Sequence, residues 1–366
     1  MIKIGSEVGS ISNQKIHSGI QRVTVELHKY LFKNSNDNFT INPVITNVNQ
    51  KSSQYLSSSY LSSDPVLNND VVELLDLDIL LLIDLNWQAD FTRILKAKES
   101  KPQLKVISII YDLHPILNPE WFEGETTQTQ MNFRIYLQKL FKVSDVIIVN
   151  SEKVSKDLSS LKWDFNGQIV INKLGAFIPD LLKTPHPAKA PNNCLVVGTI
   201  EPRKSHSLIL DAFDELMKEG FDLRLFIVGR YGWKSSELKK RLQKHKEYGG
   251  RLRWFRNLTD AELSQLYQIA SFTVAASQDE GFGLNVEESL KHGTPILVRN
   301  IPVFRERARD GIFFFDSNKM DLVNKMREMC TLEGQIVSRV RTIDDFCADF
   351  LDMLRMVVKQ NSDSQF

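Results

Sequence analysis

The chain has 366 residues, of which 42% are hydrophobic and 25% are charged, and this composition is ordinary for a globular protein long enough to form two domains. Its formal net charge of +1 excludes the strongly basic surface typical of a nucleic-acid-binding protein. The most apolar stretch, Val71–Leu85, contains four acidic residues and is too short and too charged to span a bilayer.

The compartment is indicated by the N-terminus and the cysteines. The first five residues, MIKIG, begin neither a long apolar run nor a cleavage site, so no signal peptide is expected. Cys194, Cys330 and Cys347 lack the spacing of a metal site. An odd number of cysteines favours reduced thiols over a disulfide framework, and the chain is therefore expected to be cytoplasmic.

Short apolar runs alternate with amphipathic helices in the N-terminal half. The first long helix is predicted over Ile20–Phe32, whose apolar residues fall on one face. A segment rich in Ser and Asn, Asn47–Asn69, predicts a mobile loop. The runs Lys105–Ile110 and Val146–Val149 have the length of strands that are buried on both faces.

Two places in this half could carry function. Gly19 precedes the first helix, where free N–H groups can contact an anion; the alternative is a plain N-cap formed by Ser18. Asp112 and His114 follow the strand Lys105–Ile110, and either side chain could contact a substrate hydroxyl. A single His before a proline is, however, more often structural.

The best domain boundary is Pro179–Asn193, which holds four prolines, has no apolar period and so predicts a linker. A second series of buried strands begins at Cys194, with further runs at Leu225–Val228 and Phe272–Ala275. A helix predicted over Ser207–Glu219 lies between the first two of these runs.

This alternation predicts an α/β fold of two Rossmann-like, doubly wound domains, at residues 1–180 and 194–342, joined by a linker at 181–193. Two such domains would create a central cleft at the carboxyl ends of both sheets, where open α/β folds bind ligands. Within residues 343–366, a helix over Asp344–Val357 is expected to pack back on the first domain, and Asn361–Phe366 predicts a frayed tail.

The strongest motif is EGFGLNVEE, residues Glu280–Glu288, between a strand and a helix. Gly281 and Gly283 let the backbone approach a ligand closely, and the helix start offers N–H groups to an anion. Glu280 lies in the loop, and Glu288 one or two turns into the helix, so one carboxylate can meet a sugar and the other a ribose diol. The alternative is a helix cap with a surface acid.

Three further turns of this half are candidates. Arg203 and Lys204 stand before a helix and suit a pyrophosphate; the alternative is a solvated basic turn. Gly229 and Arg230 follow Leu225–Val228 and could hold a base or phosphates, or simply turn the chain. Leu258 precedes a helix start at which Thr259 and Glu262 have capping-box spacing.

From about Cys194 to Phe315 the chain closely resembles the donor domain of retaining GT-B enzymes of glycosyltransferase family four. The resemblance rests on the acids Glu280 and Glu288, the turn Glu201–Lys204 and the segment Arg299–Glu306. Thr199 stands where many members have Arg, which leaves the diphosphate one cation short of the commonest pattern. Asn285 stands where many have Pro.

The resemblance implies roles for these residues. In the family the Arg-Lys pair binds the donor diphosphate, the first acid contacts the transferred sugar, the second binds the ribose, and the backbone between them lies against sugar and phosphate. The N-terminal half is less similar, but Gly19 looks like a glycine loop that approaches the donor phosphates. The predicted catalytic residues are Glu280, Asp112 and Lys204. The predicted donor-binding residues are Gly19, Arg203, Lys204, Gly229, Arg230, Leu258, Gly281, Phe282, Gly283, Leu284 and Glu288, and His114 is predicted to bind the acceptor.

The implied activity is that of a retaining hexosyltransferase with no cofactor besides its nucleotide-sugar co-substrate. Since no Asp-x-Asp pair follows a strand, and Arg203 and Lys204 can stabilise a departing diphosphate, no metal is expected. The motifs look most like bacterial polysaccharide mannosyltransferases that use GDP-mannose, although rhamnosyl- and other hexosyltransferases share much of the pattern. The acceptor would be a lipid-linked oligosaccharide, or an O-antigen or capsule chain, at the cytoplasmic face of the inner membrane.

Two alternatives of other classes remain open. One is a GT-B enzyme of different chemistry, such as an epimerase or a phosphorylase; a phosphorylase would need a pyridoxal lysine site, which is not identifiable in the sequence. The other is a non-catalytic nucleotide-sugar-binding partner in a polysaccharide assembly complex. The intact pair Glu280 and Glu288 argues against the second alternative.

Overall fold

A computed structural model describes most of the chain. The described residues are 1–8, 19–36, 38–44, 46, 73–87, 89–122, 126–178, 192–332 and 338–363. The predicted loop Asn47–Asn69, the N-cap candidate Ser18 and the linker up to residue 191 lie outside them. Asn193, predicted as the last linker residue, is instead the first residue of a strand.

The strands form two parallel sheets. The first contains β1 (Ile2–Glu7), β2 (Phe39–Val44), β3 (Ile79–Leu82), β4 (Lys105–Ile110), β5 (Val146–Val149) and β6 (Gln168–Ile171). The second contains β7 (Asn193–Val197), β8 (Arg224–Val228), β9 (Leu252–Phe255), β10 (Phe272–Ala275), β11 (Ile296–Arg299) and β12 (Ile312–Phe315). The five predicted strands are confirmed to within one residue at their ends.

Helices follow the strands along the chain. They are α1 (Gly19–Lys33), α2 (Phe91–Ser100), α3 (His114–Leu117), α4 (Thr126–Val143), α5 (Glu152–Ser160), α6 (His206–Lys218), α7 (Ser236–Gln243), α8 (Asp260–Ile269), α9 (Leu284–Lys291), α10 (Pro302–Arg305), α11 (Lys319–Cys330) and α12 (Ile343–Asp363). Because α12 continues to Asp363, the frayed tail expected from Asn361 is wrong for its first three residues.

The strand order reverses once in each sheet. The first sheet has the order β2-β1-β3-β4-β5-β6 and the second β12-β11-β10-β7-β8-β9, with parallel pairing between neighbours. Strands β3, β10 and β11 are buried along their whole length, as expected for parallel strands covered by helices on both faces. Each sheet is therefore doubly wound, and the predicted α/β class is confirmed.

The chain divides into two compact units. The first comprises Met1–Ile116, Thr127–Lys173 and Ile343–Phe366, and within it α12 packs against α1. The second comprises Leu117–Thr126 and Leu174–Thr342. Thus a short segment of the N-terminal half belongs to the second unit, which also begins before the predicted linker.

The contacts of Trp233 explain why the segment Leu117–Thr126 belongs to the second unit. The Trp233 ring stacks on Phe122 with a centroid distance of 5.6 Å and an interplanar angle of 16°. Its indole N–H donates to the carbonyl oxygen of Trp121, and the Lys234 ammonium donates to that of Glu120 at 2.8 Å. Because Trp233 and Trp121 lie 112 residues apart in the sequence, the pairing has no signal in the local sequence pattern.

Helix caps agree with the sequence. Ser151 is the N-cap of α5 and accepts a hydrogen bond from the Val154 amide. Thr259 and Glu262 form the predicted capping box at the start of α8. Each cap satisfies backbone donors that the first turn of a helix leaves without a partner.

Gly229 is required by a close approach between two strand ends. A Cβ atom at this position would lie 1.9 Å from the carbonyl oxygen of Gly198, which follows β7. The Gly229 carbonyl oxygen accepts a hydrogen bond from the Trp254 indole at 2.8 Å. Gly229 therefore has a steric role that involves no ligand.

Gly229→Ala is expected to lower the free energy of unfolding by about 1–3 kcal/mol, because the new methyl group overlaps backbone that cannot move aside cheaply. Gly250→Ala is the matched control, since its added Cβ would meet only the Glu247 carbonyl oxygen, at 3.4 Å. Urea unfolding followed by circular dichroism measures both. Equal midpoints for the two variants would contradict the prediction.

Candidate functional site

The candidate site lies where the strand order of the second sheet reverses, between β7 and β10. Loops that leave neighbouring strands diverge at such a point, and open α/β sheets bind ligands there. The loop after β7 carries Arg203 and Lys204, and the loop after β10 carries Glu280. The topology therefore brings two motifs together that lie more than seventy residues apart.

The turn after β7 is held rigidly against the loop after β10. Residues Pro202–Lys204 form a 3₁₀ turn with the proline first, and Ser205 adopts a left-handed conformation with φ of 51°. The Gln278 backbone N–H donates to the Arg203 carbonyl oxygen at 2.8 Å. Its side-chain amide donates to the Pro202 carbonyl oxygen at 3.2 Å. The two loops thus form one wall.

Arg203 and Lys204 both contact Glu280. The Arg203 Nη1 atom lies 2.7 Å from Glu280 Oε2, and its Nη2 atom lies 2.6 Å from Glu201 Oε1. The Lys204 ammonium contacts Glu280 Oε1, which also accepts a hydrogen bond from Ser277 Oγ at 2.6 Å. The predicted diphosphate cations and the predicted sugar-contacting acid are therefore in direct contact. Together with Glu201, the cluster has two positive and two negative formal charges.

Glu280 remains ionised although it is buried. Only 5% of the residue is exposed, and burial alone would raise its pKa. The charges of Arg203 and Lys204, with the Lys204 and Ser277 hydrogen bonds, outweigh burial and hold the pKa of Glu280 well below its ordinary value. At neutral pH this carboxylate can accept hydrogen bonds but cannot donate a proton.

The glycine loop that follows Glu280 is shaped by a buried cation. Gly283 has φ of 80°, and a Cβ atom there would lie 2.7 Å from the Phe304 ring. The Arg307 guanidinium lies 4.1 Å from the centroid of the Phe282 ring and donates to the Phe282 carbonyl oxygen. Because C=O and N–H point in opposite directions across a trans peptide, the Gly283 N–H points away from Arg307. Burial lowers the pKa of Arg307 to about 10, so it stays cationic at neutral pH.

Glu288 lies in the second turn of α9, as predicted, and only 5% of it is exposed. Its Oε2 atom accepts a hydrogen bond from the Tyr267 hydroxyl at 3.1 Å. Leu284 is the first residue of the same helix. The loop Gly281–Leu284 therefore leads directly into the helix that carries the second predicted acid.

The remaining donor-binding predictions lie at neighbouring strand ends. Arg230 is exposed, and its carbonyl oxygen accepts a hydrogen bond from the Ile200 amide at 2.9 Å. Leu258 is partly buried against an apolar cluster that includes Leu263 and Tyr267. Both residues have packing or backbone roles that need no ligand.

The predictions in the first unit fall on two elements. Gly19 is the exposed first residue of α1. Asp112 Oδ1 accepts a hydrogen bond from the His114 backbone N–H at 3.2 Å and lies 3.3 Å from His114 Nδ1. Since the His114 side chain is 3% exposed and that of Asp112 is 32% exposed, Asp112 is the more accessible of the two.

Sequence reasoning missed a polar cluster at the carboxyl ends of β1 and β3, where the order of the first sheet reverses. The buried carboxylate of Glu7 accepts hydrogen bonds from the Asn86 side chain at 2.9 Å and the Thr46 amide at 2.8 Å. Asp84 is buried nearby in the sequence, two residues after β3. A charged residue that directly ends a buried strand is a signal that could have identified Glu7.

The described residues contain neither a metal-binding cluster nor a membrane-spanning helix. Within the described ranges, no group of three or more His, Cys, Asp or Glu side chains could hold a metal ion. Of the helices in the part of the chain that the structure covers, none is long and apolar enough to cross a membrane. The three cysteines are free thiols, and two of them, Cys194 and Cys347, are buried.

Comparisons with known proteins identify relatives. Residues 180–342 match the family of glycosyl transferases group 1. The serotype-specific mannosyltransferase WbdA of Escherichia coli is 30% identical over 367 residues, covering 91% of this chain and 43% of WbdA. The O-antigen chain mannosyltransferase B of E. coli is 31% identical over 134 residues, covering 36% of this chain and 34% of that protein. The chain thus spans less than half the length of these curated relatives.

A solved structure of similar fold is HepE of Anabaena in complex with UDP and glucose. Its TM-score is 0.60 at 14% identity, and the match covers 90% of each chain. At this identity the likeness concerns the fold alone. It shows that the two doubly wound units have the GT-B fold, which confirms the predicted fold class.

Glu280→Gln is expected to lower the free energy of unfolding at pH 7 by about 1–3 kcal/mol, because two cations lose their shared charged partner. The folded-state pKa of Glu280 is depressed below its ordinary value of 4.5. Its stabilisation is therefore fully present above about pH 4.5 and is lost as the pH falls below that value. Urea unfolding of both proteins at pH 7 and pH 3 measures the difference.

The gap in stability between wild type and Glu280→Gln is thus expected to shrink on acidification. Glu237→Gln, at an exposed position on α7, is the control and should stay within about 0.5 kcal/mol of wild type. A gap of unchanged size at both pH values would show that the charge of Glu280 does not hold the two loops.

Proposed function

We propose that this chain, whose residues 180–342 match the family of glycosyl transferases group 1, transfers a hexose from a nucleoside diphosphate sugar to a glycan or lipid-linked oligosaccharide in surface polysaccharide synthesis. The observation that carries the proposal is the contact of Arg203, Lys204 and Glu280 at the reversal point of the second sheet. A nucleoside diphosphate sugar needs cations for its phosphates and acceptors for its hydroxyls. This cluster supplies both.

Arg203 and Lys204 are proposed to stabilise the departing diphosphate. Negative charge develops on the leaving group as the glycosidic bond breaks, and fixed cations lower the free energy of that transition state. The Lys204 ammonium has three N–H donors, so it can hold Glu280 and a phosphate oxygen at once. With this charge in place, the reaction is proposed to need no metal ion.

The two motif acids are proposed to act as acceptors. Glu280, held ionised, accepts a hydrogen bond from a hydroxyl of the transferred sugar, and Glu288 accepts from the ribose. The Gly283 N–H, turned away from Arg307, can donate to a phosphate at the start of α9. Transfer is proposed to retain the anomeric configuration through attack from the face on which the diphosphate leaves.

The donor is proposed to be GDP-mannose. The relatives named above are mannosyltransferases by name, and one of them acts on O-antigen chains according to its name. An O-antigen or capsule glycan is accordingly the proposed acceptor class. Rhamnosyl- or other hexosyltransfer is the alternative that ligand binding must separate.

A thermal-shift panel tests the donor. GDP-mannose is expected to raise the melting temperature more than UDP-glucose or dTDP-rhamnose does, because a ligand at about 100 times its Kd stabilises the native state by about 2.7 kcal/mol. A larger rise in melting temperature with UDP-glucose or dTDP-rhamnose would change the proposed donor but leave the proposed enzyme class unchanged. If none of the three shifts the transition, the chain does not bind nucleotide sugars and the proposed function is wrong.

Lys204→Ala is expected to lower kcat by about 10²–10³-fold, the cost of removing one group that stabilises developing charge, with a smaller effect on the KM of the acceptor. Release of GDP from GDP-mannose, with and without an α-mannoside acceptor and with EDTA present, measures this effect. Lys218→Ala is the control, since that side chain is 69% exposed near the end of α6. Normal turnover by Lys204→Ala would refute the assignment.

A further inference from the structure

Glu288, the proposed ribose-binding acid, belongs to a buried network between two helices. Ser264 and Tyr267 lie three residues apart on α8, and Glu288 and His292 lie four apart, at the end of α9, so each pair lies on one side of its helix. Their exposed fractions are 0%, 0%, 5% and 1% in that order. The network therefore forms part of the protein interior and includes the helix that follows the glycine loop of the donor site.

The contacts form a chain that ends on the carboxylate. The Tyr267 hydroxyl donates to Glu288 Oε2 at 3.1 Å. The Tyr267 ring stacks on the His292 imidazole, with 5.1 Å between centroids and 12° between planes. His292 in turn lies 2.9 Å from Ser264 Oγ through Nε2 and 2.7 Å from the Glu288 carbonyl oxygen through Nδ1.

The position of the phenol is set from several sides. The carbonyl oxygen of Glu288 can only accept, so His292 Nδ1 carries a proton, and this hydrogen bond fixes the plane of the imidazole. The stacked Tyr267 ring must follow that plane. Thr294 Oγ1 donates to the Tyr267 carbonyl oxygen at 2.7 Å, which fixes the backbone from which the ring projects.

We propose that Tyr267 is a positioning residue for ribose recognition: its hydroxyl selects the rotamer in which the Glu288 carboxylate meets the 2′- and 3′-hydroxyls of the nucleotide. This inference rests on the proposed function. A glutamate side chain has three torsions and populates several rotamers when nothing holds it. A hydrogen bond from a phenol with a fixed ring removes that freedom before the ligand arrives, so the ribose binds a carboxylate that is already oriented.

A purely structural role makes a different prediction. Burial of a carboxylate is costly unless hydrogen bonds compensate it. If the role of Tyr267 were only structural, removal of its hydroxyl would lower the stability of the protein and leave nucleotide preference unchanged. The positioning role predicts in addition that the preference for ribose over deoxyribose declines. The two roles are therefore separated by nucleotides that differ only at the 2′ position.

The test is calorimetric titration of the full chain with GDP and UDP and with their 2′-deoxy counterparts. Wild type is expected to bind the better ribonucleotide about 10-fold more tightly than its deoxy form, as befits a hydrogen bond to a charged group. Tyr267→Phe, which removes only the hydroxyl, is expected to reduce this preference to about threefold or less. The affinity for the deoxynucleotide should fall less than that for the ribonucleotide, because only its 3′-hydroxyl can use Glu288.

Two further variants complete the design. Thr273→Val removes the buried hydrogen bond of 2.7 Å between Thr273 Oγ1 and Ser289 Oγ and leaves the phenol and its contacts intact, so it should lower the melting temperature yet retain the wild-type preference. Ser264→Ala loosens His292 behind the ring and should give a partial loss of preference, which keeps the test decisive if Tyr267→Phe does not fold.

The outcomes separate this inference from the function on which it rests. The positioning role would be overturned if Tyr267→Phe kept the wild-type preference for ribose over deoxyribose. If Tyr267→Phe does not fold, the same result in Ser264→Ala would overturn it. Tight wild-type binding of GDP or UDP with no preference for ribose would overturn it as well, while the proposed function would stand. If wild type bound none of these nucleotides and no donor of the thermal-shift panel, the proposed function would be wrong and the inference would fall with it.

Discussion

The second unit depends on one interaction, the contact of the buried Glu280 carboxylate with Arg203 and Lys204. A buried carboxylate is strongly unfavourable unless charge and hydrogen bonds compensate it. Here the acid lies in the loop after β10 and the compensating cations lie in the loop after β7. The ion pairs that stabilise Glu280 therefore also hold these two loops together. The backbone hydrogen bond from the Gln278 N–H to the Arg203 carbonyl oxygen joins the same two loops.

A second ion network supports the glycine loop that follows Glu280. Glu287 contacts Arg309 at 2.7 Å and Arg307 at 3.6 Å, and Arg307 holds the carbonyl oxygen of Phe282. The glycine loop is thus clamped between the Glu280 cluster on one side and Arg307 on the other. Such support is what keeps a loop with a left-handed glycine in one conformation, and it places the loop amides before any ligand is present.

Much of this architecture is readable from the sequence, and the remainder is not, for physical reasons. Buried parallel strands such as Val146–Val149 can be predicted because they are continuous apolar runs. Capping residues such as Thr259 can be predicted because their partners lie within one helical turn. Tyr267 and Arg307 sit in ordinary helical or loop surroundings and acquire their roles only from partners twenty or more residues away. Gly229 was open to two interpretations because its steric reason, the Gly198 carbonyl, lies on a neighbouring strand end.

The charge balance of the site suggests how donor binding and sugar recognition are coupled under the proposed function. Without ligand, Arg203 and Lys204 are matched by Glu201 and Glu280, so the cluster has no formal excess of charge. A diphosphate adds negative charge and shares the Lys204 ammonium with Glu280, because that group has three N–H donors. Sharing the ammonium weakens its attraction for Glu280, the carboxylate that is proposed to accept a hydrogen bond from a sugar hydroxyl. The same carboxylate that holds the two loops together is then available to orient the hexose, while Arg203 and Ser277 still contact it.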